Sequence, residues 1–203
     1  MGERRIIHSP QKEDNWIIRK RMKGFHRENQ LFSLCGLNCG LCPMHLNKYC
    51  PGCGGGEGNQ SCKIAKCSLE HDGVEYCFQC SEYPCEKYKH IDDFDSFITH
   101  RNRKADLKKA KEMGIEAYNA EQADKTEILK FLLAHYNDGR KKNLFCLAVN
   151  LLEVQEIKEI FMQIESNPEL EGSTFKDRCS FAAGLFQNTA KQKNIELKLR
   201  KKK

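Results

Sequence analysis

Long apolar runs are missing from this chain. None of its 203 residues sits in a stretch near the roughly 20 apolar residues that a membrane-spanning helix needs. The opening residues, Met1-Gly2-Glu3-Arg4-Arg5-Ile6-Ile7-His8, contain no apolar core of a secretory signal. Ile6 stands where a myristoylation signal requires Ser or Thr. There is no alternating apolar–polar strand pattern, and no internal repeat of about 20–50 residues. The Gly-rich stretch 52–58 is followed by no Lys-Ser/Thr and helix, so it is not a phosphate loop. No membrane anchor, secretory signal or P-loop nucleotide site is expected from these absences. The expectation is a cytoplasmic protein without membrane contact, where thiols stay reduced and clustered Cys more often bind metal than form disulfides.

Charge is divided unevenly along the chain. The formal net charge is +6, yet residues 1–27 carry eight Lys/Arg against three Asp/Glu. The tail 198–203 carries five basic residues and no acidic one. Residues 28–197 hold 21 basic against 25 acidic residues, so basic ends flank a body of net −4. Such ends are expected to be solvated arms, able to hold nucleic acid only weakly and without sequence preference.

The chain changes character near residue 91. Ten of the twelve Cys lie between Cys35 and Cys85, with eight of the fourteen Gly but only twelve apolar residues other than Cys. So few apolar side chains cannot build a core, and the segment needs covalent or metal cross-links. Beyond it, helical spacing takes over. Phe94, Phe97 and Ile98 open an amphipathic pattern that runs to Met113, with Gly114 as a stop. Ile128, Leu129, Leu132, Leu133 and Tyr136 share a face ended by Asn137-Asp138-Gly139. The stretch 143–152 is apolar nearly all round, as in a buried helix. Ile157, Ile160, Phe161 and Ile164 continue until Asn167-Pro168, and Cys179, Ala182, Ala183, Phe186 and Ala190 mark a last helix. Another helix is expected over 13–23, around Trp16, Ile17 and Met22. The predicted architecture is α-rich: a basic N-terminal extension (1–32), an irregular, metal-stapled, zinc-knuckle-like module (33–90), a small helical bundle (91–197) and a basic tail (198–203).

The candidate metal ligands are Cys35, Cys39, Cys42, Cys50, Cys53, Cys62, Cys67, Cys77, Cys80 and Cys85. Three of their steps are C-x2-C, short loops that let two thiolates converge on one ion at about 2.3 Å each. In Cys50-Pro51-Gly52-Cys53-Gly54, Pro fixes the turn and the Gly after the second Cys accepts positive φ. That is a zinc-knuckle sequence. A simple partition places Cys39, Cys42, Cys50 and Cys53 on one ion and Cys62, Cys67, Cys77 and Cys80 on another, leaving Cys35 and Cys85 over. Two or more zinc ions are expected. His45 and His71 lie inside the window, but solvated surface imidazoles are the plainer reading of both. An iron–sulfur cluster is the competing cofactor. Cys35-x3-Cys39-x2-Cys42 has the spacing of radical enzymes that use S-adenosylmethionine, although the βα barrel those enzymes need is not readable here. The ferredoxin run is not matched either.

The strings Cys35-Gly36-Leu37-Asn38-Cys39-Gly40-Leu41-Cys42-Pro43, Cys50-Pro51-Gly52-Cys53, Cys62-Lys63-Ile64-Ala65-Lys66-Cys67 and Cys77-Phe78-Gln79-Cys80-Ser81-Glu82-Tyr83-Pro84-Cys85-Glu86 resemble an uncharacterised Cys-rich prokaryotic family, domain of unknown function 3795. The likeness covers 33–90 and continues loosely through Tyr136-Asn137-Asp138-Gly139-Arg140 and Phe145-Cys146-Leu147-Ala148. It implies a small cytoplasmic protein whose Cys are metal ligands, and it supplies no reaction.

Outside the window, Cys146 and Cys179 read as core residues. A nucleophile at Cys146 would need a base, and His135 is the only neighbouring imidazole in the sequence. Arg140-Lys141-Lys142 reads as a solvated turn ahead of a helix. Asn59-Gln60-Ser61 is a glycosylation sequon without the compartment to use it. The functional expectation is a zinc protein with structural thiolate sites, acting as a binding or regulatory adaptor for a protein partner. An iron–sulfur redox protein is the alternative. Thiolates numerous enough to close every site argue against a catalytic zinc, which keeps an open position.

Overall fold

The structure, a computed structural model, describes residue 22, residues 24–56 and residues 62–202. Among them stand seven α-helices and no strand. Two short ones, α1 (Pro43–Leu46) and α2 (Lys63–Leu69), lie in the Cys-rich segment. Five follow: α3 (Arg103–Met113), α4 (Ile115–His135), α5 (Lys142–Leu151), α6 (Val154–Glu165) and α7 (Phe175–Gln192). The α-rich class expected from the sequence is what is seen. No described helix is long and apolar enough to cross a membrane. The helix expected over 13–23 lies outside the described residues, apart from Met22.

The helix boundaries follow local chemistry. Gly114 ends α3 and begins α4 with φ +89°, a left-handed backbone that glycine adopts without a Cβ clash. At α6 the Glu153 N–H donates to the Glu156 carboxylate (3.0 Å), closing a capping box. At α7 the Thr174 hydroxyl accepts from the Asp177 N–H at 3.2 Å. Between them Asn167-Pro168 breaks the chain as expected, leaving a 3-10 turn at Pro168–Leu170.

The amphipathic faces close on one core. Leu129 and Leu132 of α4, Phe145 and Val149 of α5, Ile157, Ile160 and Ile164 of α6, and Phe186 of α7 are all buried together. Cys146 belongs to this core, Cys179 is fully buried, and His135 stacks on Phe131 with centroids 4.4 Å apart. Burial pushes the Cys146 thiol up to about 12, in keeping with its packing in the core.

The start of α3 differs from the sequence expectation. Residues 94–98 form a loop, and Phe94 and Phe97 are exposed. The cause is Asp95, whose carboxylate accepts from the His100 N–H (2.7 Å) and from the Arg200 N–H (2.8 Å). An Asp that captures backbone donors in this way competes with helix formation. The tail, expected as a solvated arm, is docked as far as Arg200, with Lys201 and Lys202 exposed. Arg200 pairs with Asp95 at 3.1 Å, its carbonyl accepts from the Asp95 N–H at 2.8 Å, and Arg101 donates to the Glu196 and Lys198 carbonyls.

The Cys-rich segment is tied to the bundle. Leu41 enters the bundle core, and Phe32, Tyr76 and Tyr88 pack with Leu107, Ala110 and Tyr118. Asn38 donates to Asp106 (2.9 Å) and accepts from the Tyr118 hydroxyl (3.0 Å). Buried Lys125 donates to the Leu152 carbonyl at 2.7 Å. Of its own the segment has only a small cluster of Phe25, Leu34, Cys53 and Ala65. That is the thin core its composition predicts, although its packing reaches back to Phe25, inside the stretch expected to be an extension.

Candidate metal centre

Short turns aim the thiols inward. Cys39–Leu41 is a 3-10 turn, and burial raises the Cys42 thiol against the opposing pull of the Met44 and His45 N–H groups at the start of α1. At the start of α2 the Cys62 sulfur accepts from the Ala65 N–H at 3.5 Å. Cys77–Gln79 is a further 3-10 turn carrying Cys77 towards Cys80. Gly54 has the positive φ expected after the knuckle, +80°. Gly52 has φ +96°, and a Cβ there would stand 2.4 Å from the Gln30 carbonyl oxygen, which the Cys53 N–H meets at 2.9 Å.

Two groups of thiols result. In the first, Cys39 is raised well above an ordinary thiol by burial and then by its neighbours Cys53, Cys35, Cys42 and Cys50. In the second, Cys67, Cys77, Cys80 and Cys85 line one hollow of about 20 Å³. Burial pushes Cys77 up to about 12 and Cys53 up to about 11. Cys35 lies between the groups, acting on Cys39, Cys53, Cys62 and Cys77. The first group contains the expected Cys39, Cys42, Cys50 and Cys53. The second differs from the simple partition, because Cys85 lines the hollow and Cys62 does not. All twelve Cys are free of disulfides. Among the described residues no three Cys, His, Asp or Glu side chains already converge closely enough to hold an ion.

The surroundings of the thiols nevertheless suit a thiolate-bound cation. The Tyr88 hydroxyl is buried without a hydrogen bond of good geometry and lies beside the Cys77 sulfur. A thiolate there would accept its hydrogen bond, whereas a neutral thiol is a weak acceptor. Buried Arg27 spans the Phe32 carbonyl (2.8 Å), the Glu75 carbonyl (3.1 Å) and the Glu75 carboxylate (2.9 Å), and it lowers Cys53. Burial raises Cys62 against a smaller opposing pull from Arg103, and Lys87 is raised by its contact with Cys67. Three cations thus flank a sulfur cluster whose zinc complexes would be anionic. His71 is occupied at both ring nitrogens, whereas His45 keeps Nε2 as an acceptor. His71 Nδ1 meets the Cys67 carbonyl (2.9 Å) and its Nε2 faces Glu82 (3.3 Å), while His45 Nδ1 donates to the Cys50 carbonyl at 3.0 Å. Sequence reading missed Arg27 and Tyr88, since a lone Arg in a basic segment and a Tyr beyond the last Cys carry no spacing signal.

The fold and this cluster define a helical protein with a Cys-rich module docked on its bundle. Residues 31–90 match the family described as protein of unknown function (DUF3795). The match covers a minority of the chain and ends at residue 90, so the looser likeness expected at 136–148 is not part of it. No curated protein and no solved structure matches the chain.

Proposed function

We propose that this is a zinc-binding protein whose thiolate sites are structural, serving as a binding or regulatory adaptor in the cytoplasm. The observation that carries the reading is the hollow of about 20 Å³ lined by four Cys. That is about the space of one ion or one water, and it leaves no room for an organic substrate. Cys67, Cys77, Cys80 and Cys85 would hold one ion, and Cys39, Cys42, Cys50 and Cys53 another, with Cys35 and Cys62 between them. Zinc, when bound, would supply cross-links worth of order 10 kcal/mol to turns that share almost no apolar core. Tyr88, Arg27, Arg103 and Lys87 stabilise the sulfur charge that such binding requires.

Metal analysis, an absorption spectrum and X-ray absorption of protein purified without oxygen test the proposal together. Two zinc ions per chain in sulfur-only shells are expected. Iron with broad absorption at about 400 nm would replace zinc by an iron–sulfur cluster. A reproducible oxygen ligand at about 2.0 Å would move the protein towards metalloenzymes.

A further inference from the structure

A larger hollow, about 760 Å³, opens where the Cys-rich segment meets the bundle, separate from the hollow of Cys67, Cys77, Cys80 and Cys85 but bordered by Cys50 of the first thiol group. Its walls are Leu31, Leu46 and Pro51 on one side and Leu133 and Ala134 of α4 on the other. Lys48, Lys130 and Lys142 stand around it, and no Asp or Glu lines it. This departs from the surrounding body, where acidic residues outnumber basic ones, 25 to 21. None of the three lysines has a carboxylate partner among the described residues. Cations crowded into one concavity repel each other unless a counter-charge sits among them.

The amides there are donors too. Asn47 Oδ1 is occupied by the Lys142 ammonium, and Asn137 Oδ1 accepts from the Gly139 (3.2 Å) and Lys141 (3.1 Å) N–H groups. Each amide is left with its NH2. Thr126, whose hydroxyl donates to the Gln122 carbonyl (2.8 Å), and His45 are the uncharged acceptors. Beyond Leu31 and Thr126 the hollow continues into a second of about 740 Å³ that carries Glu28 and Glu127. Negative charge in a ligand is thereby confined to the lysine end, while an uncharged body has room to extend. We infer that this hollow binds a small-molecule anion of the phosphate or polycarboxylate kind, held by Lys48, Lys130, Lys142 and the two amide NH2 groups.

Calorimetric titration of the full chain, reduced and with the metal it carries from purification, uses inorganic pyrophosphate as the probe and citrate as the carboxylate counterpart. One site per chain is expected, weakening as salt is raised. Lys130→Gln, on an exposed helix face, and Lys48→Gly, which suits the backbone φ of +62° at that position, should each weaken binding about tenfold or more. Lys108→Gln on α3, paired with Glu112 and outside the hollow, should leave it unchanged. Metal content read on the same samples separates this site from the thiol centre. Absence of binding to either probe at millimolar concentration overturns the inference. So does equal weakening by Lys108→Gln, or undiminished binding by the Lys48→Gly, Lys130→Gln double variant.

Discussion

Cys85 and Cys62 lead to opposite expectations. Cys85 lines the small hollow with Cys67, Cys77 and Cys80, so Cys85→Ser should remove one zinc per chain and several kcal/mol of stability with it. Cys62 caps α2 through its sulfur, a task Ser performs well, so Cys62→Ser should keep that zinc. Zinc loss in Cys62→Ser with zinc retained in Cys85→Ser would restore the partition read from spacing alone. A second pair concerns backbone. Gly36 has φ +92°, and a Cβ there would stand 2.3 Å from the Arg103 carbonyl oxygen, whereas Gly24 has φ +81° and open space. Gly36→Ala should cost about 3 kcal/mol or more in urea unfolding, and Gly24→Ala only about 1 kcal/mol. The Cys spacing made the ten thiols legible as one constellation. It could not tell which ones share a hollow, because Cys62 and Cys85 are each separated by four intervening residues from a neighbouring thiol, Cys67 and Cys80, and so have equal claims by spacing.

Among the elements, α3 and the loop before it carry two ionisable groups with opposed effects. Burial raises Asp106 to about 7, against the pull of Lys125. Between the ordinary carboxylate range and that value the folded state holds a proton the unfolded state lacks, so stability falls as pH rises. Burial, helped by Arg103, lowers His100 to about 4. Between about 4 and 6.5 the unfolded state holds the extra proton, so here stability rises with pH. The two slopes oppose each other in the wild type. Relative to it, Asp106→Asn should gain stability with rising pH, and His100→Gln should lose stability, as read from urea midpoints. Slopes of the same sign would show that one of these groups is not held as described. The second half of α4 and helices α5 to α7 were legible because their apolar residues recur at helical spacing. The loop before α3 was not, because Phe94, Phe97 and Ile98 have that spacing while Asp95 takes the backbone donors for itself and for a tail over a hundred residues away.

For the whole molecule, the division of cores decides what depends on metal. The bundle core takes Leu41 from the Cys-rich segment, with Leu46 packed against it, while that segment forms a small cluster with Phe25 and shares the rest with α3 and α4. Chelation at neutral pH should therefore make residues 31–90 protease-sensitive while most far-ultraviolet helical signal persists. Unchanged proteolysis after complete metal removal would show that docking against Leu107 and Tyr118 suffices alone.

The contact between Asp95 and Arg200 joins residues 105 apart in sequence. Closing a loop of that length costs about 4 kcal/mol of chain entropy, offset here by paired backbone groups and a buried carboxylate. In terms of connectivity, the five long helices form a closed circuit whose entrance and exit touch. Such a circuit can be opened elsewhere. A permuted bundle begun in the α6–α7 connection, at Gly172, with its old ends linked across the clasp, keeps all five long helices uncut and has no helix with a new end.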